Sequence, residues 1–331
     1  MSHSVVVGAG AWGTALADLV ARNGHRTTLW AREPDVVEDV NIHHRNARFL
    51  QGAALSASLT ATDDLAAAVS DASTITFVAP SHVLRAVIRS AAHAVRRDAT
   101  LIVATKGIER ETFALMTDIV AEELPGRPVV ALSGPSFAAE VAMRQPTAVV
   151  AASRDSAAAL QTQQLFSSPE FRVYTQRDVV GVELGGALKN VMAVATGVLD
   201  GLGLGFNPRA ALITRGLAEM SRLGVALGAE ASTFAGLAGM GDLVLTCTGS
   251  LSRNRTVGVE IGQGRSIEEV LHARETVAEG VITTQSAHAL ATARGVEMPI
   301  VRTMHRILFE AMPPRDAIAE LMARALRAES D

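Results

Sequence analysis

Lys189 and Asn190 lie in Val182-Glu183-Leu184-Gly185-Gly186-Ala187-Leu188-Lys189-Asn190-Val191-Met192-Ala193-Val194-Ala195, where nearly every other residue is small or apolar. The pattern predicts a buried helix. Burying an ammonium is costly unless it is paired, hydrated or neutralised. From this stretch alone, Lys189 is either a surface residue whose stem crosses apolar ground or a tuned acid/base.

Seven other groups bear on that choice. Gly8-Ala9-Gly10-Ala11-Trp12-Gly13 is a GxGxxG after the β-branched run Val5-Val6-Val7. Its glycines Gly8, Gly10 and Gly13 allow backbone N–H groups to approach a pyrophosphate at a helix N-terminus. At the end of the next expected strand stand Arg32 and Glu33. Arg32 suits a 2′-phosphate, and Glu33 suits a ribose or repels a phosphate. Lys106 in Thr105-Lys106-Gly107, and the turn Ser133-Gly134-Pro135-Ser136, both follow expected strands. Lys106 either holds a phosphate or carboxylate or is an ordinary solvated lysine; the turn either offers a hydroxyl and N–H groups to an oxygen-rich ligand or is only a tight turn before a helix starting near Phe137. Further on, Gly236 to Leu243 is a glycine-rich turn closed by Asp242, which is either a helix N-cap or a site carboxylate. Ser252-Arg253-Asn254-Arg255 offers two guanidiniums and an amide, as a solvated face or as forked donors to a substrate phosphate. Thr276 to Gly280 reads as an acidic loop.

The elements that must position these residues change character along the chain. Strands are expected at Val5–Val7, Arg26–Trp30, Ser73–Val78, Thr100–Ala104, Pro128–Leu132, Thr147–Ala151 and Phe171–Tyr174. Helices are expected from Thr14 to Asn23 with Gly24 beyond the end, from Asp63 or Asp64 through Val69, from His82 to Val95, and between the last two strands. Continuous apolar strands alternating with helices predict a parallel sheet covered on both faces. After Lys189 no strand pattern remains. Asn207-Pro208 reads as a cap and first turn of a helix through Leu223, Ser266 to Glu269 as a capping box, and Gly295 as the end of a helix from about Thr283. Pro313-Pro314 precedes a last helix ending near Ala328. The expected organisation is a dinucleotide-binding domain, 1–180, and an all-α substrate-binding and catalytic domain, 181–331.

The 331 residues, 48% hydrophobic and 19% charged, fit a globular protein with room for two domains. A formal net charge of -4 gives no general nucleic-acid footprint. The single cysteine, Cys247, forms no internal disulfide and reads as a small core residue; His43-His44 has no ligand-spaced partners, so no metal site is expected. The start lacks a basic n-region, and no uninterrupted apolar run is long enough to span a bilayer, so a cytoplasmic protein without stable membrane insertion is expected.

Taken jointly, Gly8 to Ala17, Thr105-Lys106-Gly107, Leu132 to Ala138, Glu183 to Asn190, Asn207 to Glu219, Gly239 to Thr248, Ser252 to Arg255 and Glu279-Gly280 resemble the bacterial NAD(P)-dependent glycerol-3-phosphate dehydrogenase family. The resemblance spans nearly the whole chain in the expected order. It implies a Rossmann-type domain followed by an all-α domain, with the active site between them. It implies reversible reduction of dihydroxyacetone phosphate to sn-glycerol 3-phosphate, feeding glycerophospholipid synthesis. It puts cofactor contacts at Ala11, Trp12, Arg32, Glu33, Lys106, Ala138, Arg253, Val277 and Glu279. Substrate contacts fall at Lys106, Gly134, Ser136, Lys189, Asp242, Ser252, Arg253 and Asn254. Lys189 would accept the proton in glycerol-3-phosphate oxidation, and Asp242 would orient Lys189 or assist the proton transfer. Two positions depart from the family pattern: Ala11 stands where serine is frequent, and Glu33 where a second basic residue is frequent. NADPH and NADH both remain open, with Arg32 tipping the balance toward NADP. A homodimer is expected from the apolar content of the helical half.

Two competing readings share the early features. Other two-domain dehydrogenases, of the 3-hydroxyacid or 6-phosphogluconate type, also pair a Rossmann domain with helices and a catalytic lysine. The Ser252–Arg255 turn together with Lys106-Gly107 distinguishes them. A regulator that senses NAD(P)H without turnover would leave Lys189, Asp242 and Arg253 without a purpose.

Overall fold

The computed structural model describes residues 3–273, 278–326 and 328. Eight strands form one sheet: β1 (His3–Val7), β2 (Arg26–Trp30), β3 (Leu59–Thr62), β4 (Thr74–Phe77), β5 (Thr100–Val103), β6 (Val129–Ser133), β7 (Thr147–Ala152) and β8 (Phe171–Gln176). Their order in space is β3-β2-β1-β4-β5-β6-β7-β8. Every residue of β1 is buried, which is what an unbroken β-branched run between two helical layers requires. The order reverses beside β1, so the crevice for a ligand opens at the carboxyl ends of β1 and β4. The helices of this half are α1 (Ala11–Arg22), α2 (Pro34–His43), α3 (Leu65–Val69), α4 (Leu84–Ala91), α5 (Met116–Glu123), α6 (Ala138–Ala142) and α7 (Ser156–Phe166). Asp64 caps α3, its side chain accepting from the Ala67 N–H at 2.9 Å.

The expected parallel sheet is present, with one reversal. β7 runs antiparallel to β6, and β8 runs parallel to β7. The chain therefore leaves β8 at the amino edge of the sheet. There it enters α8 (Val179–Gly201), whose N-cap Asp178 accepts from Gly181 N and Glu230 N, both at 2.9 Å. α8 then runs across the sheet toward the carboxyl edge, packing Val182 with Ala131, Val150 and Ala152. Ten residues of helix advance about 15 Å, roughly the length of a five-residue strand. That distance carries Lys189 to the edge where ligands bind.

All residues of α8 from Gly181 to Leu199 are buried. It is long and apolar enough to span a bilayer, but 89% of its apolar window is buried inside the protein, so it reads as a core helix. Around it lie α9 (Phe206–Ala226), α10 (Ala231–Phe234), α11 (Asp242–Thr248), α12 (Arg253–Gly262), α13 (Ile267–His272), α14 (Glu279–Ala293), α15 (Pro299–Phe309) and α16 (Pro314–Met322). Beyond Gln176 the described residues form no strand, as expected. α12 crosses α8 with backbones almost touching. A Cβ on Gly258 would lie 2.0 Å from the Val194 carbonyl oxygen, and one on Gly197 would lie 2.1 Å from that of Arg255. Gly201 and Gly262 repeat the contact one turn further along.

Several boundaries differ from expectation. α9 opens at Phe206, with Gly205 rather than Asn207 in the cap position. Pro208 still falls in the first turn, where its missing N–H costs nothing. Glu279 and Gly280 open α14 instead of lying in a loop. α16 ends at Met322, short of Ala328. The Ser266 capping box is present, with Glu269 N donating to Ser266 Oγ at 3.2 Å and Ser266 N to Glu269 Oε2 at 3.0 Å.

Candidate active site

Lys189 ends up in a buried ion cluster. Its Nζ lies 2.7 Å from Asp242 Oδ1, while Lys106 Nζ lies 2.5 Å from Asp242 Oδ2. Three elements supply the three groups. Lys106 follows β5, Lys189 is mid-α8, and Asp242 opens α11 at the end of the π turn Leu237–Gly241. Two glycines allow these elements to close. A Cβ on Gly185 would lie 2.4 Å from the Ala238 carbonyl oxygen, and one on Gly186 would lie 2.5 Å from Ser133 Oγ. Asp242 is 1% exposed and is not an N-cap, since both its carboxylate oxygens face ammoniums.

The electrostatics follow from that packing. Burial alone raises the Asp242 carboxyl, but the charges of Lys106 and Lys189 hold it below its ordinary value. Burial pulls the Lys189 ammonium down to about 8, with Lys106 pushing the same way and Asp242 opposing. Lys189 also donates to Thr246 Oγ1 at 2.7 Å, and that hydroxyl lies 2.6 Å from the Asp242 backbone oxygen. Lys106 Nζ donates to the Gly134 carbonyl at 3.3 Å, and Ser136 Oγ to the same carbonyl at 3.0 Å. Gly134 adopts φ +146, a conformation L side chains rarely take, and its missing Cβ would sit 2.9 Å from Val149 Cα.

A polar chain joins this cluster to the helical side. Asn190, next to Lys189, accepts from Asn254 Nδ2 at 2.9 Å; Asn254 Oδ1 accepts from Gly280 N at 2.9 Å. Ser252 caps α12, accepting from Arg255 N at 3.2 Å. Arg253 stands exposed at the first position of that helix. Arg255 turns away from the site: its guanidinium lies 2.7 Å from Asp200 Oδ2, and Arg209 pairs with the same carboxylate. Of the two guanidiniums in the turn, Arg255 therefore serves the α8–α12 packing.

At the other end of the crevice, the glycine-rich turn is shaped by contacts that only hydrogen permits. A Cβ on Gly13 would lie 1.8 Å from Gly8 O, and one on Gly8 would lie 2.9 Å from Ala79 N. Gly10, by contrast, has nothing within 4 Å, and it opens α1 with no side-chain cap. Trp12 Nε1 is buried without a hydrogen-bond partner. An uncapped helix N-terminus behind an open glycine fits a dinucleotide pyrophosphate. Ala11 and Trp12 form the first turn of α1, and Ala138 the first residue of α6. Arg32 lies beyond β2 with its side chain 82% exposed, donating to Glu33 Oε1 from Nη2 at 2.9 Å. Glu279 is committed to the loop after β4: Ser81 N and Oγ donate to its two carboxylate oxygens at 3.0 and 2.6 Å. Burial raises the Glu279 carboxyl, with Ser81 opposing. Val277 lies outside the described residues.

Two family models cover most of the chain. The NAD-dependent glycerol-3-phosphate dehydrogenase N-terminus matches residues 4–159, and the C-terminus of the same family matches residues 178–319. The curated protein glycerol-3-phosphate dehydrogenase [NAD(P)+] of Geobacter sp. (strain M21) is 55% identical over 327 residues, covering 98% of each chain. The corresponding protein of Geobacter sulfurreducens is 54% identical, again over 98% of each. The crystal structure of glycerol-3-phosphate dehydrogenase from Coxiella burnetii matches with a TM-score of 0.94 at 41% identity, covering 98% of this chain and 99% of that one. The chain belongs to the NAD-dependent glycerol-3-phosphate dehydrogenase family.

Within this dehydrogenase family member, three site contacts leave little mark in the sequence. Thr246 touches Lys189, yet it sits in Leu245-Thr246-Cys247-Thr248, which has no polar pattern to mark it. Its i+4 spacing from Asp242 was the available signal. Asn190 was noted beside Lys189, but its tie to Asn254 crosses 64 residues. Ser133 Oγ is buried without a partner against Gly186. Cys247 is a core residue as expected, its thiol pushed up to about 12 by burial.

Proposed function

We propose that this chain reversibly reduces dihydroxyacetone phosphate to sn-glycerol 3-phosphate with NADPH or NADH, supplying glycerophospholipid synthesis. The observation that carries the reading is the Lys106–Asp242–Lys189 cluster, lying between a dinucleotide cradle and the N-terminus of α12. When bound, the nicotinamide supplies the hydride equivalent for the carbonyl carbon. Gly8, Gly10, Ala11, Trp12 and Gly13 hold its pyrophosphate end, and Lys106, Ala138, Arg253, Val277 and Glu279 complete the cofactor site. Lys189 is the proton carrier. Held near 8, it retains its proton for the substrate oxygen at neutral pH and gives it up without a large barrier. In the reverse direction neutral Lys189 takes the hydroxyl proton. Asp242 orients Lys189 and balances one of the two ammonium charges. Lys106 lends the second positive charge to the developing oxyanion. Ser252, Arg253 and Asn254, with Gly134 and Ser136, fix the phosphate and so the carbonyl.

The cofactor preference rests on Arg32, which favours NADPH once its bond to Glu33 opens. The division into 1–180 and 181–331, a cytoplasmic location and a homodimer belong to the same reading. The first half of α9, with Phe206 80% exposed, offers a surface for a second copy, so a mass near twice 34.6 kDa is expected in solution. The direct test is oxidation of NADPH or NADH by purified protein with dihydroxyacetone phosphate. Turnover only when the ketone phosphate is present supports the reading. Equal turnover with a 3-oxoacid in place of the ketone phosphate, or reduction of NADP+ by 6-phosphogluconate, would transfer the chain to the other two-domain dehydrogenases. Cofactor binding with no turnover on any of these would make it a sensor.

A further inference from the structure

Glu183 lies six residues before Lys189 on α8, and the mechanism above gives it no task. It is buried, and its carboxylate is fully engaged: Thr117 N donates to Oε1 at 2.9 Å, and Thr117 Oγ1 donates to Oε2. Thr117 is the second residue of α5. The segment leading to it starts at Lys106. Between them the chain doubles back on itself through an antiparallel bridge between Ile108 and Leu115, with Glu109 N donating to Ala114 O at 3.0 Å. Ile108 and Leu115 pack in the same core cluster as Leu184 and Leu188 of α8. The ledge that carries Lys106 is thus held against α8 at both ends, by Asp242 and Lys189 at one and by Glu183 at the other.

We propose that Glu183 is a positioning residue for the reaction: its grip on Thr117 sets the register of the Lys106 ledge against α8, and thereby the spacing of Lys106, Asp242 and Lys189. The inference rests on the roles given above to Lys189 and Lys106. A purely apolar contact would let the ledge slide along the helix, since dispersion has no preferred register. A carboxylate bridging a backbone N–H and a hydroxyl fixes direction and distance. Displacements near 1 Å at a reacting group cost on the order of 100-fold in rate.

The environment of Glu183 adds a signature. Burial pushes its carboxyl up to about 7, and the two Thr117 bonds oppose the rise. Asp118 on α5 raises it further. A cleft of about 310 Å³ adjoins it, lined also by Arg127, Arg154 and Asp155, and gives protons a route from solvent. A protonated carboxyl loses the charge that strengthens both bonds, and the Thr117 hydroxyl must turn from donor to acceptor to keep the second. The grip should therefore loosen as pH falls through about 7.

The test compares Glu183→Gln and Thr117→Val with the wild-type enzyme from pH 6 to 8.5, measuring kcat and KM for dihydroxyacetone phosphate. Glu183→Gln should lower kcat about tenfold at pH 8, with KM changed less than about twofold, and should lose the acid-side fall that the wild type shows near pH 7. Thr117→Val, which keeps the volume and the backbone donor, should show the same loss at smaller amplitude. The double variant should be no worse than Glu183→Gln alone. If both variants melt earlier but keep wild-type kcat and pH profile, Glu183 is a structural clasp only and the proposal fails. Should Glu183→Gln not fold, Thr117→Val with unchanged kcat would overturn it. Lys189→Met separates the two readings: near-normal turnover there removes the proton role itself, whereas a dead Lys189→Met beside a normal Glu183→Gln sinks only the positioning role.

Discussion

Lys189 sits in opposing fields: burial and Lys106 favour its neutral form, and Asp242 favours the charged one. Lys189→Met should leave cofactor binding intact while lowering turnover roughly 10²–10⁴-fold, the range for loss of a general acid; tryptophan fluorescence titration and initial rates check the two halves of that statement. The direction of the pH dependence follows from the same balance. Reduction needs the ammonium, so its kcat should fall as pH rises through about 8, while glycerol-3-phosphate oxidation, which needs the amine, should rise over the same interval. Asp242→Asn removes the main influence that holds the proton on Lys189. Its reduction profile should therefore break at a lower pH than the wild type's, and a break at higher pH would contradict the assigned geometry. At Arg32, Glu33→Ala frees the guanidinium for a 2′-phosphate. The ratio of kcat/KM for NADPH over NADH should rise roughly two- to fivefold, the size of an exposed charge interaction.

Among the elements, α8 and α12 form the tightest contact. Gly258→Ala would place a methyl 2.0 Å from the Val194 carbonyl, so the helices must separate. Overpacking of this kind costs about 1–3 kcal/mol. Because Asn254 and Ser252 ride at the start of α12, the same change should raise KM for the ketone phosphate more than it lowers kcat; steady-state kinetics beside a thermal melt would show both. Most of these elements were legible beforehand. β1 and β5, buried at every residue, are legible as β-branched apolar runs, β2 and β7 as shorter apolar or β-branched segments, and Asp64, Gly24 and Ser266 mark their helix ends. β3, α2 and α5 were not. β3 reads Leu-Thr-Ala-Thr with alternate exposure, and α2 buries only Val36 and Val40, so neither presents a clear period. Lys106, Lys189 and Asp242 were recognisable as polar groups in apolar or glycine-rich settings. Thr246 and the Glu183–Thr117 pair depend on which helices meet, and that is fixed by packing across more than fifty residues of chain.

At the scale of the molecule, a further buried carboxyl behaves like Glu183. Glu219 of α9 accepts from Ile300 N and Val301 N at the start of α15, and burial raises it to about 7, with those bonds opposing. Its unfolded value is near 4.5. The folded chain thus holds more protons than the unfolded one between about 4.5 and 7. The contribution of Glu219 to stability is fully present below that window and is lost as pH rises through about 7. Glu219→Gln cannot ionise, so its melting temperature should gain on the wild type's between pH 5 and pH 8. A constant offset across that range would mean the carboxyl is not titrating there.

The reversal at β7 has a consequence for how this protein can be divided. Because β7 and β8 turn the chain back to the amino edge, the rod that bears the proton carrier also lines the underside of the cofactor sheet, covering Ala131, Val150 and Ala152 with Val182. Severing the gene between residues 176 and 178 would strip that lining from one product and leave the sheet-facing end of α8 at Val182 uncovered in the other. Neither piece should be portable as a module, and transplanting this substrate half onto a foreign nucleotide-binding sheet would succeed only if the recipient also ends in two backward-running strands.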